Sequence, residues 1–359
     1  MRKKDKPLTV PLTNAEDDDN SPLFARDGET IYFQSSREKG KKLWSLSIYG
    51  GEPQEVHEFK NGLSGMQWLS DSTFAFIAHD GETLYEQKLK EKKDNTVVVE
   101  DSVHWTVKRI YRFNLKDKKT ERLTENDYPV RGFEASRDGR WLVYSTQLDP
   151  DFPADANPDP VYYLHDLESG QARQILATYQ TPGNFQFTAD HAGFYFMAVT
   201  SSDPEWNGAG ISELYYYDLN TNEVAKVDLQ WEWATEGRFH VIGNDVLVTL
   251  SNGPTDKLAF YKKTAGGWTK SEPDLGEKNG HVDIQTVSKD GQKVAYAYST
   301  AEKLPRYYVA DLEVSGNDLQ FSNETEWVVL NEKLHKKPKV RAEVIRWQGY
   351  NDEEVTGIL

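Results

Sequence analysis

Two polar insertions contain the residues of this chain whose types could do chemistry at a binding site. In residues 201–212, Asp203 and Glu205 place two carboxylates beside the aromatic ring of Trp206. Residues 149–160 add four aspartates, Asp149, Asp151, Asp155 and Asp159. Carboxylates form charge-assisted hydrogen bonds with cationic ligands, and loops on a rigid scaffold often carry binding groups. We therefore predict that Asp203, Glu205 and Trp206 contact substrate; an ordinary solvated loop is the alternative.

No catalytic or metal-binding pattern accompanies these insertions. The eight histidines include neither a pair four residues apart nor a His-Glu-x-x-His motif, which argues against zinc chemistry. The chain has no Gly-x-Ser-x-Gly motif, and the nearest string, residues 62–65, lacks its spacing. Residues 36–39 match Ser-x-x-Lys by spelling alone, and the acidic residues 14–20 lack the glycine and glutamate of an EF-hand loop. The sequence predicts no catalytic residue, no metal site and no cofactor.

The composition is that of a folded, acidic chain. Its 359 residues are 37% hydrophobic and 12% aromatic, which suffices for a sizeable core. Lysine and arginine number 42 against 58 acidic residues, giving a net charge of −16, and no basic block offsets it, so nucleic acid is an unfavourable partner. No apolar stretch approaches the ~20 residues of a membrane span. The absence of cysteine leaves the bacterial cytoplasm, the periplasm and secretion open as locations.

A repeat organises most of the chain. Residues 21–35 read as a short strand, an Asp-Gly turn and a second strand in which apolar and polar residues alternate. The design returns at residues 133–145 and 284–296, with weaker copies at 66–76, 185–196 and 239–248. Asp-Gly suits a tight turn because glycine accepts positive φ and aspartate hydrogen-bonds to its own backbone. The six turn positions are Asp27, Asp71, Asp138, Asp190, Asn244 and Asp290.

The repeat predicts an all-β fold, a β-propeller of four-stranded antiparallel blades. A second strand pair follows each copy, and four-stranded units repeating every ~40–50 residues are typical of propellers. We predict six recognisable blades in a seven-bladed ring with one incomplete blade. Three domains are expected. Residues 1–20 are an N-terminal strand over residues 8–13 and an acidic linker, left from a first blade, and residues 21–330 are the propeller. Residues 331–359 are a linker and the first strands leading into a further domain.

Little helix and an aromatic core are further expectations. No segment shows a sustained 3.6-residue apolar period, so helix should be scarce. The tryptophans and tyrosines of the strands are expected to pack in the blades rather than to stack on ligands, for example Trp44, Trp141, Tyr216 and Trp327.

The repeat and the tail carry a family resemblance. The copy that begins at Ser21, with Asp27-Gly28, Leu43-Trp44 and Gly50-Gly-Glu-Pro53, resembles the repeat of TolB and of the prolyl oligopeptidase (S9) family of serine peptidases. Residues 341–359 resemble the junction at which such a peptidase passes from its propeller into its α/β-hydrolase domain. The resemblance covers essentially the whole chain and is closest to the acylaminoacyl-peptidase and dipeptidyl-aminopeptidase branch.

The resemblance implies a propeller truncated before its hydrolase domain. The family's catalytic serine, aspartate and histidine would lie beyond residue 359, so this chain alone should be inactive. In that family the propeller admits only short or unfolded peptides, and dipeptidyl peptidases hold the substrate's α-amine with propeller carboxylates, the role expected for Asp203 and Glu205. The implied partners are the chain's own hydrolase domain and peptide substrates. The alternative function is a TolB-like interaction propeller with no enzyme attached.

Overall fold

Almost all regular structure in this protein is antiparallel β-sheet. The computed structural model describes residues 10–37, 42–82, 84–93, 106–147, 160–201, 203, 210–330, 333–334, 337 and 340–359. Within them lie six four-stranded sheets, each a meander in which neighbouring strands follow one another along the chain, and one separate two-stranded hairpin. The predicted class, an all-β fold with four-stranded propeller blades, is confirmed.

The chain divides into two compact units, the first of which is residues 10–181. Its three blades are made of twelve strands. Blade 1 contains β1 (Asp19–Phe24), β2 (Thr30–Ser35), β3 (Lys42–Ser47) and β4 (Gln54–Glu58). Blade 2 contains β5 (Ser64–Ser70), β6 (Thr73–His79), β7 (Lys108–Asn114) and β8 (Thr120–Arg122). Blade 3 contains β9 (Val130–Ala135), β10 (Trp141–Thr146), β11 (Val161–Asp166) and β12 (Gln171–Ile175).

The second compact unit includes residues 182–359. Blade 4 contains β13 (Gln180–Phe187), β14 (Gly193–Ser201), β15 (Gly210–Asp218) and β16 (Val224–Lys226). Blade 5 contains β17 (Thr235–Ile242), β18 (Asp245–Asn252), β19 (Thr255–Thr264) and β20 (Gly267–Ser271). Blade 6 contains β21 (Val282–Val287), β22 (Lys293–Tyr298), β23 (Arg306–Ser315) and β24 (Asp318–Val329). The hairpin is β25 (Val344–Gln348) with β26 (Glu354–Ile358).

The repeated Asp-Gly turn is held by the same hydrogen bonds in several blades. The Oδ1 atoms of Asp27, Asp138 and Asp290 each accept the backbone N–H two residues later, at 2.8 to 3.1 Å. In blades 3, 4 and 6 a hydroxyl two residues before the turn residue donates to its carboxylate and accepts the N–H of the returning strand; these hydroxyls belong to Ser136, Thr188 and Ser288. The residues conserved in position among these copies therefore form a turn that side-chain-to-backbone hydrogen bonds close.

Glycine is required in the turn of blade 3. Gly139 has φ +74°, and a Cβ built on it would lie 2.1 Å from the carbonyl oxygen of Leu69 in blade 2. The backbones of two blades approach each other here as only glycine allows.

Within each compact unit, the core lies between the faces of successive blades. Tyr195 and Met197 of blade 4 pack with Phe239 and Val246 of blade 5 in one cluster of buried side chains. A second cluster joins blade 5 to blade 6, and in the first unit Ile77 of blade 2 shares a cluster with Leu142 of blade 3. Trp44 and Tyr216 are buried as predicted, and Trp141 is half-buried. Trp327 is not: it is 54% exposed, because it lies near the end of β24, the last strand of its sheet.

Helix is scarce in the described residues, as expected, whereas the start of the chain differs from its expectation. Helix α1 (Leu84–Lys92) occupies part of the insertion of blade 2, where strong helix formers replace any apolar period; Glu86 in its first turn and Lys90 in its last suit the helix dipole. The N-terminal strand expected over residues 8–13 is absent from its described part, residues 10–13, where Pro11 lacks the N–H that strand pairing needs. Strand β1 begins at Asp19, two residues before the expected start of the propeller.

The β25–β26 hairpin exposes apolar side chains. Val344 is 49% exposed, Trp347 48% and Ile358 61%, and Arg346 pairs with Glu354 across the strands at 3.0 Å. An isolated two-stranded ribbon with open edges and apolar side chains favours pairing with another chain.

The turn hydroxyl of blade 4 provides a test of the repeat. Thr188→Val removes a buried hydroxyl that donates to Asp190 and accepts from the Gly193 N–H, so we expect a loss of roughly 1–3 kcal/mol in the free energy of unfolding. Thr120→Val, on the exposed strand β8, is the control and should change it by less than about 0.5 kcal/mol. Equal effects of the two substitutions in urea titrations would show that the turn hydroxyl is not structural.

Deletion of residues 338–359 tests the hairpin. Because its apolar side chains are exposed, we expect the deletion to make the protein more monomeric in light scattering and to leave the melting temperature nearly unchanged. A monomeric full chain, together with a sharp fall in melting temperature on deletion, would contradict this expectation.

Candidate functional site

The long insertions occupy equivalent places in their blades. Those of blades 2, 3 and 4 each join the second strand to the third, between β6 and β7, β10 and β11, and β14 and β15. Blade 5 has a tight turn there, at residues 253–254. In an antiparallel meander this connection lies at the end of the sheet opposite the Asp-Gly turns. We call the two ends of each blade its insertion end and its turn end.

The three predicted contact residues are only partly placed by the structure. Asp203 is described, and its backbone N–H donates to the Ser201 hydroxyl at 3.3 Å while its carbonyl accepts from that hydroxyl. Glu205 and Trp206 lie outside the described residues, as do Asp149, Asp151, Asp155 and Asp159. The juxtaposition of Asp203, Glu205 and Trp206 therefore stays a prediction.

A satisfied carboxylate lies across the strand pair from the base of this insertion. Glu213 of β15 accepts hydrogen bonds from the Thr200 hydroxyl at 2.7 Å and the Tyr215 hydroxyl at 3.0 Å, and it also pairs with Lys226. Burial alone would raise the pKa of Glu213, but these partners outweigh it and hold the pKa below its ordinary value. Glu213 is an anion at neutral pH with its acceptors occupied, so it ties strand β15 to strands β14 and β16 near the base of the insertion.

A group of carboxylates that the sequence did not single out lies at the insertion end of blades 5 and 6. The guanidinium of Arg238 forms ion pairs with three of them, Asp283 at 2.5 Å, Asp256 at 3.7 Å and Glu236 at 3.9 Å. Burial and the negative charge of Glu236 raise the pKa of Asp256, and Arg238 offsets this only in part. The three carboxylates together carry more negative charge than the single guanidinium of Arg238 neutralises.

A cavity of about 440 Å³ opens beside this group. Asp256, Glu272 and Asp274 line it with Lys257, and Leu258 and Val282 contribute apolar surface. Lys257 pairs with Glu272 at 2.9 Å, and Asp274 accepts from Asn279 at 2.8 Å. The carboxylate of Asp256 is the least compensated anion in this cavity, which suits an approaching cation.

The first unit has a comparable polar network in which the central carboxylate has all its partners in place. At the insertion end of blade 2, Asp80 accepts from Arg109 at 2.7 Å, Tyr111 at 3.0 Å and Arg122 at 3.2 Å. Burial and the bond to Asp80 raise the pKa of Tyr111 to about 12, so the phenol stays protonated. This network anchors the insertion that contains α1.

Sequence reasoning missed the group around Arg238 because its members are far apart in the chain. Asp256 starts the third strand of blade 5, and Asp283 lies in the first strand of the next blade. A signal was present: Glu236, Arg238 and Asp283 stand six to eight residues before the turn residues Asn244 and Asp290. Alignment of the repeats upstream of their turns would have placed the three together. Over the parts of the chain that are described, no three histidine, aspartate or glutamate side chains are placed so that they could hold a metal ion. No helix there is long and apolar enough to cross a membrane.

Comparison with known proteins gives one sequence relative and a set of similar folds. No protein-family model matches the chain. Over 170 residues, 44% of this chain, it is 24% identical to a Bacillus subtilis (strain 168) protein described as the uncharacterized peptidase YuxL, and the match covers 26% of that protein. TolB from Acinetobacter baumannii is 16% identical, with a TM-score of 0.44 over 83% of this chain and 65% of TolB.

Acylaminoacyl peptidases share the fold more fully. The Pyrococcus horikoshii enzyme matches with a TM-score of 0.61 at 15% identity, over 95% of this chain and 50% of the enzyme. An acylaminoacyl peptidase in complex with Z-Gly-Gly-Phe-chloromethyl ketone matches with a TM-score of 0.62 over the same shares. The chain spans about half the length of these peptidases. The predicted resemblance is thereby confirmed at the level of the fold: this chain is similar to about half of an acylaminoacyl peptidase.

Proposed function

We propose that this chain is the non-catalytic propeller of a serine oligopeptidase, which admits short peptides to an α/β-hydrolase domain and positions them there. The observation that carries the proposal is the match of 95% of the chain to half of an acylaminoacyl peptidase. The peptidase activity belongs to those relatives, and the hydrolase domain would supply the nucleophile, its base and the oxyanion hole.

The arrangement of blades 4 to 6 supports a partner at their insertion end. Strand β24 ends there, at Val329, so the chain leaves blade 6 on that side. Exposed apolar side chains of these blades lie there as well: Ile211 at 41%, Trp233 at 48% and Trp327 at 54%. At the turn end of blade 6, Val314 is 38% exposed. A surface with exposed aromatic side chains is suited to a protein partner.

The carboxylates at this end give the propeller a role in substrate positioning. Asp203, with Glu205 and Trp206 in the same insertion, and Asp256 beside its cavity would face a peptide that lies between the propeller and the hydrolase domain. A free α-amine is a cation, and its contact with a carboxylate shielded from water is stronger than a neutral hydrogen bond. Selection by size follows from the same arrangement, because a folded protein does not fit between two docked domains.

A TolB-like binding propeller without an enzyme is the alternative, and the gene discriminates between the two. A Gly-x-Ser-x-Gly hydrolase encoded in frame with this propeller is expected from the proposal. An unrelated domain, or none, would support the alternative.

Activity provides the first prediction of this proposal. The isolated chain should not hydrolyse acylaminoacyl or aminoacyl reporter amides, and a fluorophosphonate should not label it, because the predicted nucleophile lies in the other domain. Joined to its hydrolase domain, it should hydrolyse short reporters and leave folded proteins intact. Hydrolysis by the purified isolated chain that a serine-directed inhibitor abolishes would contradict the proposal.

Binding of the hydrolase domain provides the second prediction. Trp233→Ser at the insertion end should weaken the association of a separately produced hydrolase domain at least about tenfold, the loss typical of a truncated interface aromatic. Val314→Ser, at the turn end, is the control and should leave the dissociation constant unchanged. Calorimetry that finds equal effects of the two substitutions would rule out docking at the insertion end.

A further inference from the structure

A cavity of about 360 Å³ lies between blades 1 and 2 at their insertion end. Residues at the ends of strands β2 and β6 and in the connection between β4 and β5 line it, and all of them belong to the first compact unit. The buried side chains of Leu63, Ile77 and Ala78 give it an apolar surface. Asp18 supplies one carboxylate and Lys108 one ammonium, and these two charges cancel. The cavity therefore has the size and the mixed lining of a site for a small uncharged ligand.

Gln34 places a carboxamide on the face of blade 1 that packs against blade 2. Alternation along β2 puts it on the same face as Tyr32, whose ring lies 5.6 Å from that of Trp68 in blade 2. Its neighbour across the strand pair, Leu43, is fully buried in a cluster with side chains of blade 2.

The carboxamide of Gln34 is available to a ligand. Gln34 is half-buried and lines the cavity, and its side chain has no hydrogen bond to any other residue that the structure describes. A carboxamide offers two N–H donors and an acceptor oxygen, and a partly buried group of this kind is normally paired. Gln34 therefore presents both a donor and an acceptor at a cavity with an apolar surface.

Two other glutamines of this protein show what such a carboxamide binds. Gln67 of blade 2 accepts the Ala135 N–H at 2.8 Å and donates to the Phe133 carbonyl at 2.9 Å. Gln186 of blade 4 likewise accepts the N–H of residue 241 at 3.0 Å and donates to the carbonyl of residue 239 at 2.9 Å. Both side chains pair with the main chain of an extended strand in the following blade. Gln34 faces the cavity instead of such a strand, so the main chain of an extended peptide suits it.

The remaining lining favours a peptide over other neutral ligands. No phenylalanine, tyrosine or tryptophan is among the described residues that line the cavity, so the ring of a nucleobase has no aromatic face to stack on. Asn61, in the connection between β4 and β5, supplies a second carboxamide without a hydrogen bond to a described residue. Leu63 and Ile77 offer contact to a small aliphatic side chain.

We propose that this cavity binds an uncharged segment of a peptide, with Gln34 as its anchor. A main-chain N–H of the peptide donates to the Oε1 atom of Gln34, and a main-chain carbonyl accepts from the Nε2 atom. Asn61 pairs with an adjacent peptide group, and an aliphatic side chain of the peptide packs on Leu63 and Ile77. The proposal goes beyond the proposed function, since it requires neither a hydrolase domain nor the carboxylates of blades 4 to 6.

Titration of the full chain with acetyl-alanyl-alanine methylamide, a dipeptide blocked at both ends, tests this site. We expect a dissociation constant of about 1 mM or below, the affinity within reach of a ligand of this size. Gln34→Met keeps the length of the side chain but removes the donor and the acceptor, so it should weaken binding about tenfold. Gln171→Met, on the exposed strand β12, is the matched control and should leave the dissociation constant unchanged. Absence of binding to the wild-type chain, or equal binding to the wild-type chain and Q34M, would overturn the proposal.

Two further ligands keep the proposal falsifiable if Q34M does not fold. In the ester analogue of the blocked dipeptide an oxygen replaces the central amide N–H, so the wild-type chain should bind it several-fold more weakly. Alanyl-alanine, which carries a charge at each end, should also bind more weakly, because binding would desolvate both charges. An ester bound as tightly as the amide would show that the peptide N–H is not recognised. Tighter binding of the charged dipeptide would assign the cavity to ionic ligands, and either result would overturn the proposal.

Discussion

Every blade of this protein is a thin antiparallel sheet with two faces to bury, and this constraint governs the rest of the structure. The apolar face of a sheet must be buried against another element, and within each compact unit the neighbouring blade provides that cover. Tyr195 and Phe239 meet in one such contact, and Ile242 and Val282 in another. The close approach of blade 2 to blade 3 at Gly139 is a consequence of this stacking. So are the hydrogen bonds that Gln67 of blade 2 donates to strand β9 and Gln186 of blade 4 donates to strand β17.

The same constraint moves polar chemistry to the ends of the blades. The faces are apolar and the turn ends are closed by repeated Asx hydrogen bonds, so the connection between second and third strands is where length and composition vary. The carboxylates of Asp203, Glu213 and Asp256 lie at this end of blades 4 and 5, and they differ in how fully their charges are met. Glu213 is satisfied by its neighbours, whereas Asp256 shares its cation with two other anions. A binding role therefore suits Asp256 better than Glu213.

The sequence predicted what is encoded locally. Each Asp-Gly turn and its alternating strands lie within about fifteen consecutive residues, so the sequence pattern sufficed to predict the blades. The group around Arg238 was not predicted, because residues 236, 256 and 283 meet only when two blades stack. Helix α1 was missed since its residues favour helix by propensity and show no apolar period. The N-terminal strand was expected although Pro11, which lacks a backbone N–H, lies within it. The exposure of Trp327 depends on its place in the last strand of a sheet, which composition does not reveal.

The proposed function places a serine hydrolase domain at the insertion end of blades 4 to 6. Hydrogen exchange of the propeller, alone and in complex with that domain, measures this most directly. We expect binding to protect residues 227–234 and 272–281, which connect blades at that end, and to leave the turn ends at residues 243–245 and 288–292 unchanged. Protection confined to the turn ends, or none in either region, would contradict it.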